Sequence, residues 1–362
     1  MCLLGVGCFD ATNIVAAIAE GLCNDKEKMA PNTIAVIGGL DDDLIMIASR
    51  IPDRGESVLG SHYQEALGGK GANSAIATFR TCHGWLSQKQ DCLDSVATSG
   101  NIDFEQPSGQ PRTAATAQQM MTDSHNDNIR VKMIGAVGDD RYGERFIAEL
   151  NKNGVDTSGV VTVPDTRTSV CFVTVEEPTR ENQCLFTLGA TATWTKDDFL
   201  TAEHLGGGIR PDLVVAQMEI DKNVVETMLK TAGNAVIDFC LNAAPPSMID
   251  RQFLNLGVAN VVISLGAKGA FYTNGQGYGH CPAYDVKVED TTGAGDTFTG
   301  AYASEYLRQK QKGTWDLRST VIRANKAAAI TIQSLGAQNG IPWSDETERF
   351  DAPEKALNDV NL

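Results

Sequence analysis

The sequence predicts an α/β fold in which a mostly parallel sheet lies between layers of helices. Two observations lead to this prediction. Short apolar runs that end in glycine or polar residues alternate along the chain with stretches of helical periodicity. Two extended segments then interrupt the alternation and could form a small separate β-sheet. The chain has 362 residues, which is enough for a large domain with a complete hydrophobic core.

The strands are predicted from short runs of apolar and often β-branched residues. The first run covers residues 34–38 and ends in glycines. Similar runs predict further strands at residues 130–138, 211–220, 234–240 and 260–269. Because ligands of parallel sheets bind at the carboxyl ends of the strands, polar residues at these ends are candidate site residues.

The helices are predicted from periodic apolar positions that follow glycine turns or acidic residues. Residues 71–80 and 141–154 have this pattern, and Gly154 suits the position that follows a last helical turn. Residues 319–337 predict a longer helix near the end of the chain.

The two extended segments cover residues 55–68 and 168–190. The second contains a Pro-Thr-Arg-Glu-Asn turn, as a hairpin would. They could form a lid over the strand ends, or an edge hairpin without a functional role. The pattern alone favours neither interpretation.

The remaining segments lie outside the alternating pattern. We expect residues 1–32 to form an N-terminal tail and residues 346–362 a C-terminal tail, on either side of a domain at 33–345. Residues 84–128 are rich in Ser, Gln, Thr, Asp and Asn and are predicted to be a disordered surface insertion.

Composition and charge exclude several classes of function. The contents of 42% hydrophobic and 21% charged residues are typical of a soluble globular protein, and no apolar run is long enough to span a membrane. The net charge of −16 argues against nucleic acid or an anionic membrane surface as a partner. Nine cysteines without a C-x-x-C pair predict reduced thiols in a cytosolic or nuclear protein, most of them buried as small apolar residues.

The stretch "DTTGAGDTFTGAY" at residues 290–302 combines an anion cradle with a carboxylate. Gly293, Ala294 and Gly295 precede a helical pattern, so free backbone N–H groups could face a phosphate. Alone, such a turn could equally be a tight approach to a helix. Asp296 changes this interpretation, because a carboxylate beside a transferring phosphoryl group is unfavourable unless it accepts a proton. The chain contains neither a Walker loop nor a G-x-G-x-x-G motif, which disfavours a nicotinamide oxidoreductase.

A second glycine cluster, "LGGKGANSA", occurs earlier in the chain. Gly69 and Gly71 flank Lys70, and Asn73 follows at the start of a predicted helix. Such a turn can present an ammonium, an amide and backbone donors to a polyhydroxylated ligand. It could also be an exposed turn with a solvated lysine.

Two carboxylates, Asp41 and Asp43, follow the first predicted strand. Short acceptor side chains at a strand's carboxyl end suit sugar hydroxyls. A charged loop or a helix N-cap is the alternative interpretation.

Taken in order along the chain, "GGKGAN" and "DTTGAGD" resemble the two signatures of the PfkB carbohydrate kinase family. Further stretches resemble the ribokinases of that family, and together they run from about residue 33 to residue 343: "PDRGESVLGSHYQEALGGKGAN", "IGAVGDDRYGERF", "VVAQMEI", "VVISLGAKGA" and "GAQNGIPW". The resemblance implies a ribokinase-like three-layer αβα sandwich with a mostly parallel central sheet and a small β lid.

The resemblance also implies roles for individual residues. Asp296 would be the catalytic base, and Gly293, Ala294 and Gly295 would form the anion hole. The sugar would be held by residues from both halves of the chain: Asp41, Asp43, Gly69, Lys70, Gly71, Asn73, Glu219 and Asp296. The nucleotide would be lined by Ser264, Leu265, Gly266, Ala267, Lys268, Gly269, Gly295 and Asn325. A monovalent cation would be held by Asp290, Thr292, Thr331, Ser334, Gly336 and Gly340. Asp41 stands where ribokinases usually carry Asn.

The implied reaction is transfer of phosphate from ATP to D-ribose, giving ribose 5-phosphate, with Mg²⁺ as cofactor and K⁺ as activator. Another sugar or a nucleoside is the alternative acceptor. The implied setting is the cytoplasm, with the nucleus as an alternative, and a homodimer formed through the lid is a further expectation.

One departure from the family concerns the N-x-x-E motif of the magnesium–phosphate region. Between the strands predicted at 234–240 and 260–269, only one helix has room, so one βα unit is missing near residues 242–260. The motif's only match, Asn223 to Glu226, is predicted to lie on an ordinary surface helix. The flanking strands are expected to pair directly or to leave backbone groups open. A catalytically impaired protein that binds sugar and nucleotide is therefore the second functional hypothesis.

Overall fold

The computed structural model describes residues 14–19 as backbone, together with 31–85, 129–179, 182–244 and 257–356. A nine-stranded central sheet has the strand order β13-β12-β11-β1-β10-β9-β2-β5-β6. Its strands are β1 Ile14–Ala19, β2 Asn32–Ile37, β5 Ile129–Gly138, β6 Asp156–Val163, β9 Leu213–Gln217, β10 Asp238–Asn242, β11 Asn260–Ser264, β12 Ala270–Asn274 and β13 Gly277–Cys281. The pairs from β10 through β9, β2 and β5 to β6 are parallel, whereas β11, β12 and β13 pair antiparallel.

Helices cover both faces of this sheet, which confirms the predicted three-layer architecture. Alternation along β2 shows how: Ile34 and Val36 pack into one core, and Ala35 and Ile37 into the other. The helices are α1 Lys70–Cys82, α2 Arg141–Lys152, α3 Ala202–Leu205, α4 Lys222–Ala235, α5 Ala294–Lys312, α6 Leu317–Thr331 and α7 Ser344–Arg349. The core on the first face includes residues of α1, α2, α5 and α6, and that on the second includes residues of α3 and α4.

A second sheet of four strands forms the lid, in the order β4-β3-β7-β8. Its strands are β3 Asp41–Ala48, β4 Gly60–Gly68, β7 Ser169–Glu176 and β8 Asn182–Phe186. Both extended segments predicted from the sequence are part of it. The strand β3 was not predicted, because its three consecutive aspartates read as a polar loop. Pairing with β4 and β7 on both sides satisfies the backbone of these aspartates.

The N-terminal segment differs from the expected tail. Strand β1, Ile14–Ala19, lies between β10 and β11 and pairs antiparallel with both. It fills the position between β10 and β11, where the sequence predicts the loss of one βα unit, so the expectation that β10 and β11 pair directly or leave open edges is wrong. Without β1, the edges of β10 and β11 would expose unpaired N–H and C=O groups. Pairing with these edges explains why the N-terminal segment joins the sheet.

The C-terminal segment also belongs to the domain as far as it is described. Helix α7 extends past residue 345, and Glu354 forms a β-bridge with Tyr284. Phe350 packs edge-on against the Tyr284 ring, with the ring centres 5.1 Å apart. The expected tail at 346–362 is therefore wrong for residues 346–356, which are fixed by contacts that leave no sequence pattern.

Other boundaries differ from prediction for local reasons. The helix expected at 319–337 ends at Thr331, and Gly336 then adopts a left-handed φ of 85°. At the start of the predicted insertion, the Trp85 ring packs against Trp343, 5.3 Å away. The rest of the predicted insertion, residues 86–128, lies outside the described residues. Residues 245–256, in the stretch where a βα unit is predicted to be missing, also lie outside them.

Candidate active site

The site is organised around the first turn of α5. Gly293 precedes the helix with a φ of 77°, and a Cβ there would approach the Ala337 carbonyl oxygen to 2.6 Å, so glycine is required. The first bond back to the cap is Thr297 N–H to the Gly293 carbonyl at 2.8 Å. The N–H groups of Gly295 and Asp296 therefore have no acceptor within the helix and are available to an anion.

Asp296 lies on this first turn and is buried. The Asn73 amide donates to its Oδ2 at 2.9 Å, and Gln338 Nε2 donates in turn to Asn73 Oδ1 at 3.0 Å. Burial raises the pKa of Asp296, while Lys70 and the Asn73 hydrogen bond oppose the rise. A buried carboxylate held in one orientation, with an elevated proton affinity, has the properties of a general base.

Lys70 lies at the start of α1 and faces two acids. Its Nζ is 3.7 Å from Glu219 Oε1, and its backbone N–H donates to Glu219 Oε2 at 3.3 Å. The charge of Asp296, and then that of Glu219, raises the pKa of Lys70, whereas burial raises the pKa of Glu219 to about 7. Gly71 has a different role, because a Cβ there would come within 2.6 Å of the Gly38 carbonyl carbon. It allows α1 to pack closely on the end of β2.

Asp41 and Asp43 project from the same face of β3 into the site. Burial raises the pKa of both groups, that of Asp43 to about 8. Gly69, with a φ of 83°, brings the turn before α1 within close reach of the Asp41 backbone N–H. The sequence correctly predicted these acids at a strand end, although they begin a lid strand and do not lie in a loop.

These side chains line a first cleft of about 610 Å³ between the lid and the central sheet. All the predicted sugar-binding residues except Gly71 line it: Asp41, Asp43, Gly69, Lys70, Asn73, Glu219 and Asp296. The lid adds residues that sequence reasoning missed: Ile45, Ile47, Gln64, Ala66, Cys171, Val173, Val175, Thr179, Cys184 and Phe186. Period-two alternation in the four lid strands is the signal that could have identified all of them except Thr179.

A second cleft of about 360 Å³ lies on the other side of the α5 turn. It contains predicted nucleotide residues, namely Ser264, Gly266, Ala267, Gly269, Gly295 and Asn325, together with Ala294 of the anion hole. Leu265 and Lys268 belong to the same turn without lining this cleft. Sequence reasoning missed its remaining walls: Ala283, Tyr284, Val288, Thr291, Phe298, Ala328, Ala329, Ile332 and Lys355. Lys355 comes from the segment expected to be a tail.

The two clefts meet at the start of α5. Val288 and Thr291 line both of them, with Gly293 and Asp296 in the first and Gly295 in the second. An acceptor in the first cleft and an anionic donor in the second would thus meet at the free N–H groups and the Asp296 carboxylate. This arrangement suits group transfer between two ligands.

The predicted cation residues lie in two adjoining loops. Asp290 Oδ1 accepts from the Thr292 N–H at 2.9 Å and its hydroxyl at 2.7 Å, and Asp290 Oδ2 accepts from Gly336 N–H at 2.9 Å. The carbonyl of Thr331 accepts from Ser334 N–H at 3.2 Å. A Cβ at Gly340 would meet that carbonyl, so the loop closes tightly on it. A carboxylate and carbonyl oxygens in compact loops fit a monovalent cation.

The described residues offer no comparable group of ligands for magnesium. Within the described ranges, no group of three or more His, Cys, Asp and Glu side chains is arranged to hold a metal ion. Asn223 of the N-x-x-E match is exposed on α4, on the opposite face of the sheet from α5, as expected for a surface helix.

Over the part of the chain that the structure describes, no helix combines the length and hydropathy needed to cross a membrane.

Comparison with known proteins agrees with this geometry. The profile of the pfkB family carbohydrate kinases matches residues 105–256 and 248–344. These two spans cover more than half of the chain, and they overlap at residues 248–256, within the region where the loss of one βα unit is predicted.

Individual relatives are similar over most of their length. Ribokinase of Bacillus subtilis (strain 168) is 28% identical over 344 residues, covering 88% of this chain and 98% of the relative. The structure of Arabidopsis thaliana ribokinase complexed with ribose and ATP superposes with a TM-score of 0.62 at 20% identity, covering 89% and 99% of the two chains. A nucleoside kinase of Burkholderia thailandensis in complex with inosine gives 0.64 at 17% identity, covering 88% and 95%. The structural likenesses show the fold, the profile match confirms the predicted family, and the chain belongs to the pfkB family of carbohydrate kinases.

Proposed function

We propose that the protein is an ATP-dependent kinase that phosphorylates the primary hydroxyl of D-ribose to give ribose 5-phosphate. One observation carries this proposal: the buried carboxylate of Asp296 stands where two clefts meet, beside N–H groups that no acceptor in the helix satisfies. The similarity to the Bacillus subtilis ribokinase supports ribose as the acceptor.

In this proposal the first cleft holds the sugar. Asp41, Asp43 and Glu219 accept hydrogen bonds from hydroxyls, while Lys70 and Asn73 donate to them. Asp296 takes the proton of the hydroxyl that attacks. Its position beside Lys70 and the Asn73 amide stabilises the ionised form that it needs as a base.

The second cleft holds the nucleotide. The turn at residues 264–269 and Asn325 would border the nucleoside, and Lys355 would add a positive charge. Gly293, Ala294 and Gly295 let the anion approach the helix terminus, whose N–H groups would bear the charge that develops on the transferring group.

We propose different binding modes for the two cations, potassium and magnesium. Potassium would be held by Asp290, Thr292, Gly336 and the carbonyls near Thr331, Ser334 and Gly340, and it would stabilise the adjoining anion turn. Magnesium would arrive with the nucleotide phosphates, since the described residues supply no dedicated acidic set.

The outer face of the lid supports a homodimer. Met46, Tyr63, Phe172 and Leu185 are exposed there, and register places Tyr63 opposite Met46 and Leu185 opposite Phe172. Such an apolar face is typical of a subunit interface.

The described cysteines are free thiols, which fit a reducing compartment: Cys82, Cys171, Cys184, Cys240 and Cys281. We propose that this compartment is the cytoplasm, with the nucleus as the alternative.

A second candidate acceptor is a ribonucleoside. Beyond its polar end, the first cleft is walled by apolar lid residues, which could cover a base: Ile45, Ile47, Val173, Val175 and Phe186. The structural likeness to the nucleoside kinase in complex with inosine is in keeping with this alternative.

A coupled ADP-release assay with Mg-ATP tests the proposal. The panel contains D-ribose, 2-deoxy-D-ribose, other small sugars and inosine, each with K⁺ present. We expect turnover to be fastest with ribose. Preference for inosine would select the nucleoside alternative. Calorimetric binding of ribose and ATP without turnover of any acceptor would select the catalytically impaired alternative.

A further inference from the structure

Two cysteines lie on the wall of the first cleft and have no part in the proposed transfer. Cys171 is on β7 and Cys184 on β8, and both line the cleft beside the acids and Lys70. Cys184 is exposed, whereas Cys171 is buried. The other thiols in the described ranges, Cys82, Cys240 and Cys281, are buried in the core.

The register of the lid brings the two sulfur atoms together. Cys171 is opposite Phe186, and Cys184 is opposite Val173, so the cysteines are diagonal neighbours on one face. Across this diagonal the Cys171 thiol is placed to donate a hydrogen bond to the Cys184 sulfur. Two thiols that are diagonal neighbours on one face of paired strands can react with each other after a local shift of one strand.

The surroundings make the two thiols unequal. The hydrogen bond from Cys171, with a further contribution from Lys70, lowers the pKa of Cys184 to about 7. The same hydrogen bond, followed by burial and the charge of Asp43, raises the pKa of Cys171. Burial raises the pKa of Cys240 to about 12 and that of Cys281 to about 11. Cys184 is thus the exposed thiol that ionises more readily, and Cys171 is the adjacent thiol that keeps its proton to higher pH.

We propose that Cys184 and Cys171 form a peroxide-sensitive thiol pair that controls access to the first cleft. The Cys184 thiolate attacks one oxygen of hydrogen peroxide, the O–O bond breaks, and the leaving hydroxide takes a proton and departs as water. Cys184 is then a sulfenic acid. The Cys171 sulfur, as it loses its proton, attacks the Cys184 sulfur, and the sulfenic oxygen leaves as a second water. Two thiols are oxidised to one disulfide, and one peroxide is reduced to two waters.

The disulfide would change the lid, because it requires a shorter distance between the two Cα atoms than diagonal neighbours on paired strands have. Diagonal neighbours have Cα atoms about 7–8 Å apart. A disulfide requires about 4.4–6.8 Å. Closing it must draw Cys184 toward Cys171 and shear β8 along β7. Phe186 and Val173 on the same face would move with the strands, so the acceptor side of the cleft changes shape while the second cleft does not.

Peptide mass spectrometry of the full chain after hydrogen peroxide treatment tests this proposal. We expect a linked Cys171–Cys184 peptide, reversed by dithiothreitol. We also expect Cys184 to react with iodoacetamide at neutral pH roughly tenfold faster than a thiol of ordinary pKa, since about half of it is ionised. Cys240 and Cys281 are internal controls that should react only after unfolding.

Two variants separate the steps. Cys171→Ser should stop the oxidation at a sulfenic acid that dimedone labels, and Cys184→Ser should give neither product. With ribose as acceptor, peroxide should raise KM in the parent but not in Cys184→Ser. Absence of the linked peptide, or equal peroxide sensitivity of Cys184→Ser, would overturn the proposal. Because the peptide readout needs no turnover, a failure of the proposed kinase function would be seen separately.

Discussion

The two clefts at the start of α5 are supported in different ways. The first is walled by side chains from α1, the end of β9 and α5, which lie within segments whose sequences resemble family signatures, and by the strands of the lid. The second is walled mainly by turns and small residues, and Ser264 in it ends β11, which pairs with the N-terminal strand β1. The acceptor side thus keeps the family's construction, while the donor side depends on a strand from elsewhere in the chain.

This difference shows that the placement of the site's side chains and the completion of the central sheet are separable requirements. The positions of Asp296, Asn73 and Lys70 depend on helix termini packed on the first face of the sheet. The ladder between β10 and β11 needs only a strand of suitable length, whatever its direction. An antiparallel segment can therefore complete a sheet between two parallel strands without supplying the N-x-x-E motif that is predicted to be missing there.

The largest expected effect concerns the acceptor side. Asp296→Asn keeps the shape of the side chain but removes the base, so turnover should fall by about 10²–10⁴-fold. Calorimetry should still detect sugar binding, because the other polar groups of the cleft remain. Asp285→Asn, an exposed carboxylate outside both clefts, is the matched control. Near-parental turnover of Asp296→Asn would remove the base from the mechanism.

The next effect concerns the donor side. Ala17 faces Leu241 on one side and Val261 on the other, so Ala17→Pro removes a ladder N–H within the sheet. Each buried group left unpaired costs roughly 1–3 kcal/mol, which should lower Tm by about 5 °C. Mg-ATP binding should weaken more than ribose binding. Deletion of residues 1–10, which retains β1, is the control.

Unchanged Tm and ATP affinity in Ala17→Pro would show that β1 does not support the second cleft. The complementary change restores the missing βα unit near residues 242–260. We expect it to raise both Tm and ATP affinity relative to the present chain. If neither quantity rises, the N-terminal strand is a complete replacement for the unit.

A smaller effect tests the loops between the clefts. Replacing Na⁺ by K⁺ at constant ionic strength should raise turnover in the parent, because the cation would rest against the anion turn. Asp290→Asn should lose this response, since an amide cannot accept from both Gly336 N–H and Thr292. Equal rates in the two salts would remove the potassium site.

The last effect is on the pH dependence of stability, through the raised carboxyl pKa values of the first cleft. Burial moves the pKa of Asp43 from 3.8 to about 8 and that of Glu219 from 4.5 to about 7. A folded-state pKa above the unfolded value stabilises the protein at low pH, and this contribution is lost as the pH rises through the folded value. Tm of the ligand-free protein should therefore fall between about pH 4 and about pH 8. Asp43→Asn should make Tm less dependent on pH over this range. A Tm of the parent protein that rises with pH over the same range would contradict the raised carboxyl pKa values.

Much of the acceptor site could be predicted because its residues lie in short motifs. The glycines before α1 and α5 and the acids beside them are adjacent in sequence to the turns that position them. Most lid residues of the cleft were missed, because their orientation depends on which face of β3 and β7 turns inward. Lys355 was missed because only a β-bridge at Glu354 brings its segment back to the domain.

By itself, the sequence determined the alternation of strands and helices, the lid segments and the positions of Asp296, Lys70 and Asn73, since periodicity and glycine turns are local properties. Only the tertiary structure decided which strand lies beside β10, where the C-terminal segment docks, and that Cys171 and Cys184 are diagonal neighbours on one face of the lid. The physical reason is that strand pairing and side-chain contact join residues far apart along the chain. Their energies depend on what else is left unpaired, which no local pattern records.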